Sequence, residues 1–285
     1  MRPTGAARVA GVIGWPVAHS RSPRMHGYWL DRYGIDGAYV PLPVEPGRLA
    51  DALRALPLLG MRGANVTIPH KEAAFAAVDS RSAAAERTGS VNLIVVREDG
   101  SLHGDSTDGY GFMENLRESL PGGTQDWQLR QAHAVILGAG GSAAAVAAAL
   151  IDAGVPQVRL VARSLDRARA LASKLGEPTT VTPWSNAAEA LAEARLLVNA
   201  TPLGMNGQPP LDIDLAPMLA RAIVADLVYV PMRTELLARA QASGRAAIGG
   251  LGMLIHQARP AFKAWFGVDP EVTPELRAQL VETLA

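Results

Sequence analysis

Short apolar runs alternate with stretches of helical period along nearly the whole chain. Runs rich in Val, Ile and Leu at Arg8–Ile13, Ala38–Leu42, Gly63–Val66, Val91–Val96, Ala134–Leu137, Val158–Val161, Leu196–Asn199, Ile223–Asp226 and Ala246–Ile248 have the length and composition of strands. Apolar residues recur every three or four positions between them. This predicts helices at Pro23–Tyr33, Pro46–Leu56, Lys71–Val78, Asp108–Leu120, Ser142–Ala153, Leu165–Leu175 and Gly252–Phe266, with a last one from Pro274. Ser22, Thr107 and Ser164 stand where a hydroxyl caps a helix N-terminus. β-branched strands separated by helices pack as parallel sheets covered on both faces, so the pattern predicts an α/β fold.

A chain of 285 residues is long enough for two domains with buried cores. The polar, glycine-rich stretch 121–131, ahead of the buried run 134–137, reads as a linker. Two segments imitate other things. Arg2 and Arg8 before the apolar run 9–18 resemble a signal peptide, but Pro16 and the polar residues after it fit a strand entering a loop. Residues 134–151 carry no charge, yet their glycines and alanines break into strand, turn and helix and make a poor membrane span.

Composition narrows the partners. Lys+Arg and Asp+Glu both number 27, so no basic excess points to nucleic acid or to an anionic membrane. Cysteine is absent, which removes disulfides, thiolate catalysis and Cys-type zinc sites, and fits a reducing cytoplasm. No histidine pair has metal-ligand spacing. Composition does not set the oligomeric state, monomer or homodimer; the expected partner, a small-molecule substrate, comes from the chain's motifs.

The segment ILGAGGSAAAV places Gly138, Gly140 and Ala143 in G-x-G-x-x-A spacing, directly after a strand and at the start of a helix. The first glycine permits the tight turn and the second lets backbone approach a pyrophosphate. The small third residue allows close helix–strand packing. Amides of Ala139, Gly141 and Ser142 would then face phosphate at the helix N-terminus. The next strand ends in Arg163, Ser164 and Arg167 rather than in the acidic residue of an NAD site. Guanidinium forks suit a 2′-phosphate, so NADP is expected ahead of NAD.

Two polar clusters precede that loop. GANVTIPHK (63–71) carries Asn65, Thr67 and Lys71, and GDSTDGYGF (104–112) carries Asp108. A partly buried lysine near a carboxylate can move the proton of a reacting hydroxyl, and strand ends are where open α/β sheets bind ligands. From spacing alone, a surface lysine and a helix-capping aspartate is the stronger reading.

Resemblance reverses that order. GWPVAHSRSPRMH (14–26), GANVTIPHK, TGSVN (88–92), GDSTDGYGF, ILGAGGSA (136–143), VNATPLGM (198–205), DLVYVP (226–231) and GMLIHQA (252–258) occur in one order. In them the chain resembles the shikimate dehydrogenase family. The resemblance implies an N-terminal α/β substrate domain with a mostly parallel sheet, formed by 1–107 with 252–285. It also implies a Rossmann-like NADP-binding domain at 108–251, facing the first across a cleft.

On the substrate side, Ser20 and Ser22 would bind the carboxylate, Asn65, Thr67, Asn92, Asp108 and Gln257 the ring hydroxyls, and Tyr229 would line the pocket. Lys71 would be the general acid/base, oriented by Asp108. Thr201, Met205 and Gly250 would complete the cofactor side with the glycine loop and the arginines. Met253 would pack near nicotinamide, or simply fill core.

Four positions depart from the family's usual pattern: Gly27, Leu93, Ser106 and Ala162. None removes Lys71 or Asp108. The expected activity is reversible NADP-linked oxidation of shikimate to 3-dehydroshikimate, in the biosynthesis of aromatic amino acids. A quinate or aminoshikimate dehydrogenase, with NAD in place of NADP, is the nearest alternative, although serines at both 20 and 22 favour shikimate. A non-catalytic NADP-binding regulator is an alternative of another class.

Overall fold

The computed structural model describes residues 2–120 and 132–282. The expected linker at 121–131 therefore lies outside the described residues. Two compact units emerge. One runs to Thr107 and resumes at Gln257; the other is Asp108–His256.

The first unit begins with β1 (Arg8–Gly14), α1 (Ser22–Arg32), β2 (Gly37–Pro43), α2 (Leu49–Leu58) and β3 (Gly63–Val66). It continues with α3 (Lys71–Ala77), β4 (Ser80–Arg81), α4 (Ala83–Thr88), β5 (Leu93–Val96) and β6 (Leu102–Asp105). The sheet order is β2-β1-β3-β5-β6-β4. β1 runs parallel to β2 and β3, and β4 to β6, whereas β5 is antiparallel to both β3 and β6. The sheet is mostly parallel, as expected, with β5 running against its neighbours. β5 and β6 are joined by a short turn that leaves no room for a crossover helix, and such a connection gives an antiparallel pair.

The second unit holds α5 (Asp108–Ser119), β7 (Ala134–Leu137), α6 (Gly141–Asp152), β8 (Val158–Ala162), α7 (Leu165–Leu175), β9 (Thr179–Pro183) and α8 (Ala187–Leu191). After them come β10 (Leu196–Asn199), β11 (Ile223–Asp226), α9 (Glu235–Ala242), β12 (Ala246–Ile248) and the start of α10 (Leu251–Phe266). Its sheet, β12-β11-β10-β7-β8-β9, is parallel throughout. The strand order reverses beside β7, at the topological switch point where doubly wound sheets bind ligands. The uncharged stretch 134–151 is strand β7, a turn and helix α6. Among the described residues no helix is long and apolar enough to cross a membrane.

Both units have an aliphatic core, in the first built from residues such as Ile13, Leu53, Val66, Val91 and Ile94, and the first adds a second cluster of another kind. Aliphatic side chains such as Ile136, Val146, Leu150, Leu160 and Val198 fill the second unit, and the alanines of α6 lie flat against its sheet. The first unit gathers aromatic rings: His26, Trp29 and Tyr39 with Phe262, Trp265 and Phe266 from the far end of α10. The Trp265 indole donates to the Ile94 carbonyl at 3.0 Å, and Trp29 to that of Glu271. The last helix, α11 (Pro274–Val281), is capped by Thr273, whose hydroxyl also meets Tyr28.

Candidate active site

In the first unit the polar residues singled out by the sequence converge on the ends of β3 and β5. Asn65 is buried near the end of β3. Its Oδ1 accepts from the Tyr39 hydroxyl at 2.7 Å and its Nδ2 donates to the Asn92 carbonyl at 3.0 Å. A carboxamide has two lone pairs and two N–H groups, so Asn65 retains capacity for a ligand hydroxyl. Asn92 lies just before β5. Its Oδ1 accepts from the Thr107 amide at 2.8 Å, and its Nδ2 donates to Gln257 Oε1 at 3.2 Å. The Thr107 hydroxyl sits 2.8 Å from the Gln257 carbonyl and 3.1 Å from Asn92 Oδ1.

The serine pair joins the same network. Ser22 was expected to cap α1, but the helix already includes it and its cap position, Arg21, makes no side-chain bond. The Ser22 hydroxyl hydrogen-bonds the buried Tyr39 phenol instead. Burial pushes that phenol well above its usual range, with the Ser22 bond opposing, so it stays a neutral donor. The Ser22 amide donates to Ser20 Oγ at 3.3 Å. Ser164 likewise occupies the cap position of α7 without a side-chain capping bond.

Lys71 is half-buried and is the first residue of α3, after a turn closed by the His70 amide on the Thr67 carbonyl at 2.9 Å. The Thr67 amide bonds the Ile13 carbonyl, and the Lys71 carbonyl accepts from the Val91 amide at 3.0 Å. His70 is buried, with Nε2 2.7 Å from the Val44 carbonyl, which makes it an anchor of this turn. Asp108 is buried and opens α5 in the second unit, one residue after Thr107.

The second unit collects the other set. Gly138 has φ +113°, a conformation that side-chain-bearing residues rarely adopt, and its amide donates to Val161 on β8 at 2.8 Å. A Cβ on Gly138 would press on the Ala200 carbonyl at 3.2 Å and on Thr201 Cγ2 at 3.4 Å, so Thr201 is packed against the loop. Gly140 has open space where a side chain would be, and α6 starts at Gly141 without a side-chain cap. Uncapped amides beside an open glycine fit a dinucleotide pyrophosphate. Arg163, Ser164 and Arg167 are exposed at the end of β8 and the start of α7.

The loops after β10 and β11 are tied by the Asn206 amide on the Val230 carbonyl at 3.0 Å, which brings the segments of Met205 and Tyr229 together. Gly250 packs on the Leu227 backbone so closely that a Cβ would collide with it, an independent reason for glycine there. Met253 is part of the buried core beside Phe112 and Leu116. Among the described residues no group of three His, Cys, Asp or Glu side chains is placed to hold a metal ion.

Tyr39 and Thr107 carry much of this arrangement, yet sequence reasoning used Thr107 only as a cap and passed over Tyr39. The signal for Tyr39 was a polar-tipped aromatic on a core strand, which is uninformative until its partner is known.

Comparison with known proteins supplies the context. Residues 12–94 match the shikimate dehydrogenase substrate binding domain. Residues 123–204 match shikimate / quinate 5-dehydrogenase, and 250–274 the shikimate 5'-dehydrogenase C-terminal domain. A shikimate dehydrogenase (NADP(+)) of Rhodospirillum rubrum is 57% identical over 282 residues, 98% of each chain. The Thermus thermophilus shikimate 5-dehydrogenase, solved with NADP(H) and shikimate, superposes with a TM-score of 0.84 at 35% identity, covering 98% of this chain and 100% of that one. Quinate dehydrogenase from Corynebacterium glutamicum, solved with NAD, gives 0.86 at 32% identity, covering 97% and 98%. With its two α/β units and these matches along nearly its full length, the chain belongs to the shikimate dehydrogenase family.

Proposed function

We propose that this chain catalyses the reversible NADP-linked oxidation of shikimate to 3-dehydroshikimate. The observation that carries the reading is the buried network of neutral groups, Ser22–Tyr39–Asn65–Asn92–Thr107–Gln257, next to the turn that presents Lys71. A ring bearing several hydroxyls and a carboxylate needs many matched donors and acceptors, because each buried polar group left unmatched costs about 1–3 kcal/mol. The same cost rejects analogues that lack a hydroxyl.

In this reading Ser20 and Ser22 hold the carboxylate, while Asn65, Thr67, Asn92 and Gln257 hold ring hydroxyls and Tyr229 lines the pocket. The Lys71 ammonium group, once deprotonated, takes the proton of the reacting hydroxyl at Nζ and returns it in the reverse direction. Asp108 accepts a hydrogen bond from Lys71 Nζ and so orients the lysine at the reacting hydroxyl. Gly138–Ala143, Thr201, Met205 and Gly250 hold the dinucleotide, with Arg163, Ser164 and Arg167 on its 2′-phosphate. When bound, the nicotinamide ring accepts or supplies the hydride. The same reading places the enzyme in the cytoplasm, as a monomer or homodimer, in aromatic amino acid biosynthesis.

Initial rates followed by nicotinamide absorbance decide it, with shikimate, quinate and aminoshikimate each paired with NADP and NAD. Shikimate with NADP is the expected best pair. Quinate with NAD as the best pair would replace the substrate and cofactor assignments, and no turnover with any pair would favour the binding protein. Lys71→Ala is expected to lower kcat by roughly 100- to 10,000-fold with a much smaller change in KM.

A further inference from the structure

Asp226, at the end of β11, is 1 % exposed and has no assigned role in binding or chemistry. Its carboxylate collects three donors from three separate segments. Oδ1 accepts from the Asn199 side-chain amide at 2.9 Å and from the Val228 amide at 3.0 Å; Oδ2 accepts from the Thr234 hydroxyl at 2.7 Å. All three donors are neutral. Burial pushes this carboxyl upward, and the hydrogen bonds from Thr234, Val228 and Asn199 oppose that rise.

Each donor holds a loop of the second unit. Asn199 Oδ1 accepts from the Thr201 amide at 3.0 Å and hydroxyl at 2.7 Å, and its Nδ2 also reaches the Leu203 carbonyl at 3.0 Å. Through Asn199 the carboxylate therefore shapes the loop that carries Thr201 and Met205. Val228 adjoins Tyr229. Thr234 caps α9 by accepting from the Leu237 amide at 3.3 Å, so it closes the far end of the Tyr229 loop. Hydrophobic packing is non-directional and would leave these loops free to shift; three directed bonds to one buried acceptor remove that freedom.

We infer that Asp226 is a positioning residue that locks the Thr201 loop and the Tyr229 loop in register, so that cofactor and substrate constants depend on it together. The inference rests on the roles proposed above for Thr201 and Tyr229. A small misplacement of binding groups can cost roughly 100-fold in rate even when the altered residue is remote from the chemistry. Asp226→Ala removes both acceptor oxygens and with them all three hydrogen bonds. Asp226→Asn keeps an oxygen for Asn199 and Val228 but turns an N–H toward Thr234. Thr234→Val removes one donor, and Thr234→Ser retains it.

The test uses the full chain, with KM for NADP and for shikimate, kcat, NADPH affinity by nicotinamide fluorescence, and melting temperature. Asp226→Ala should raise both KM values and weaken NADPH binding, with kcat/KM lower by roughly 10- to 100-fold. Asp226→Asn and Thr234→Val should fall between it and wild type, and Thr234→Ser should restore wild-type constants. A purely structural role would lower melting temperature and active fraction while leaving both KM values and NADPH affinity unchanged, and that result would overturn the inference. If Asp226→Ala does not fold, the Thr234→Val and Thr234→Ser pair decides by the same criteria. Thr201→Ala and Tyr229→Phe run alongside separate the two levels. Effects in those two with silent Asp226→Asn and Thr234→Val overturn the inference alone; silence in all four overturns the site assignment as well.

Discussion

On the proposed reading, the two units meet opposite recognition problems with different residue types. The first gathers amides and hydroxyls into one network at the ends of β3 and β5. The second offers an open glycine turn, uncapped helix amides and two exposed arginines. Neutral groups match neutral hydroxyls without the desolvation cost of a buried charge. Phosphates are already charged, and fixed amides with guanidinium forks answer them. Aliphatic clusters fill both units, and the first adds polar-tipped aromatics that pack and also donate, as Tyr39 and Trp265 do.

That contrast predicts separable effects. The largest should come from Arg163→Ala combined with Arg167→Ala, which removes charge-assisted bonds that solvent exposure holds to about 1.5–3 kcal/mol together. KM for NADP should rise by roughly 10- to 100-fold, with KM for shikimate and turnover with NAD little changed. A comparable rise in KM for shikimate would break the division of labour.

Next is a change that should touch neither ligand. His26 is fully buried between Tyr39, stacked at 3.9 Å, and the edge of Trp29, with both ring nitrogens unpartnered. Burial lowers its pKa from 6.5 to about 3. A depressed histidine is neutral when folded but takes up a proton when unfolded. Its stabilising effect is therefore complete above pH 6.5 and is lost as pH falls toward about 3. By pH 5 the loss is about 2 kcal/mol. His26→Phe should flatten the dependence of melting temperature on pH between 6.5 and 5 while leaving both KM values in place. An unchanged acid limb would mean that other groups set it.

The smallest effect is expected from Tyr39→Phe, which takes one neutral bond from Asn65 and one from Ser22 while keeping the ring. A loss of about 1 kcal/mol per bond corresponds to a rise in KM for shikimate of roughly 5- to 30-fold, with KM for NADP unchanged. Equal effects on both would show that the network supports the whole chain rather than one ligand.

Much of this was legible in the sequence where the physics is local. The turn at Gly138 needs a residue tolerant of positive φ, and the strand before it and helix after it are written in composition and period. Strands β4, β6 and β9 were not anticipated, because SR, LHGD and TTVTP contain no apolar run to separate them from loop. A mostly parallel sheet was expected in the first unit, but that β5 is the strand running antiparallel was not legible. Strand direction is set by the connection and its partners, not by the strand's own residues.

Of the departures from the family pattern, Leu93 pairs directly with Asn65 on β3 and Asp105 on β6, on the face opposite the core residue Ile94. It is buried, so it borders the network as packing.

By itself, then, the sequence determined the α/β class, the glycine-rich strand–turn–helix, the two polar clusters and the family, since each resides in short segments whose spacing is enough. Only the tertiary structure decided that Ser22 turns from capping α1 to meet Tyr39, that Tyr39 and Thr107 join Asn65, Asn92 and Gln257, and that Asp226 gathers Asn199, Val228 and Thr234. Those bonds link residues up to 165 positions apart. A hydrogen bond needs its partner within about 3 Å, and no local pattern specifies which distant group the fold will bring there.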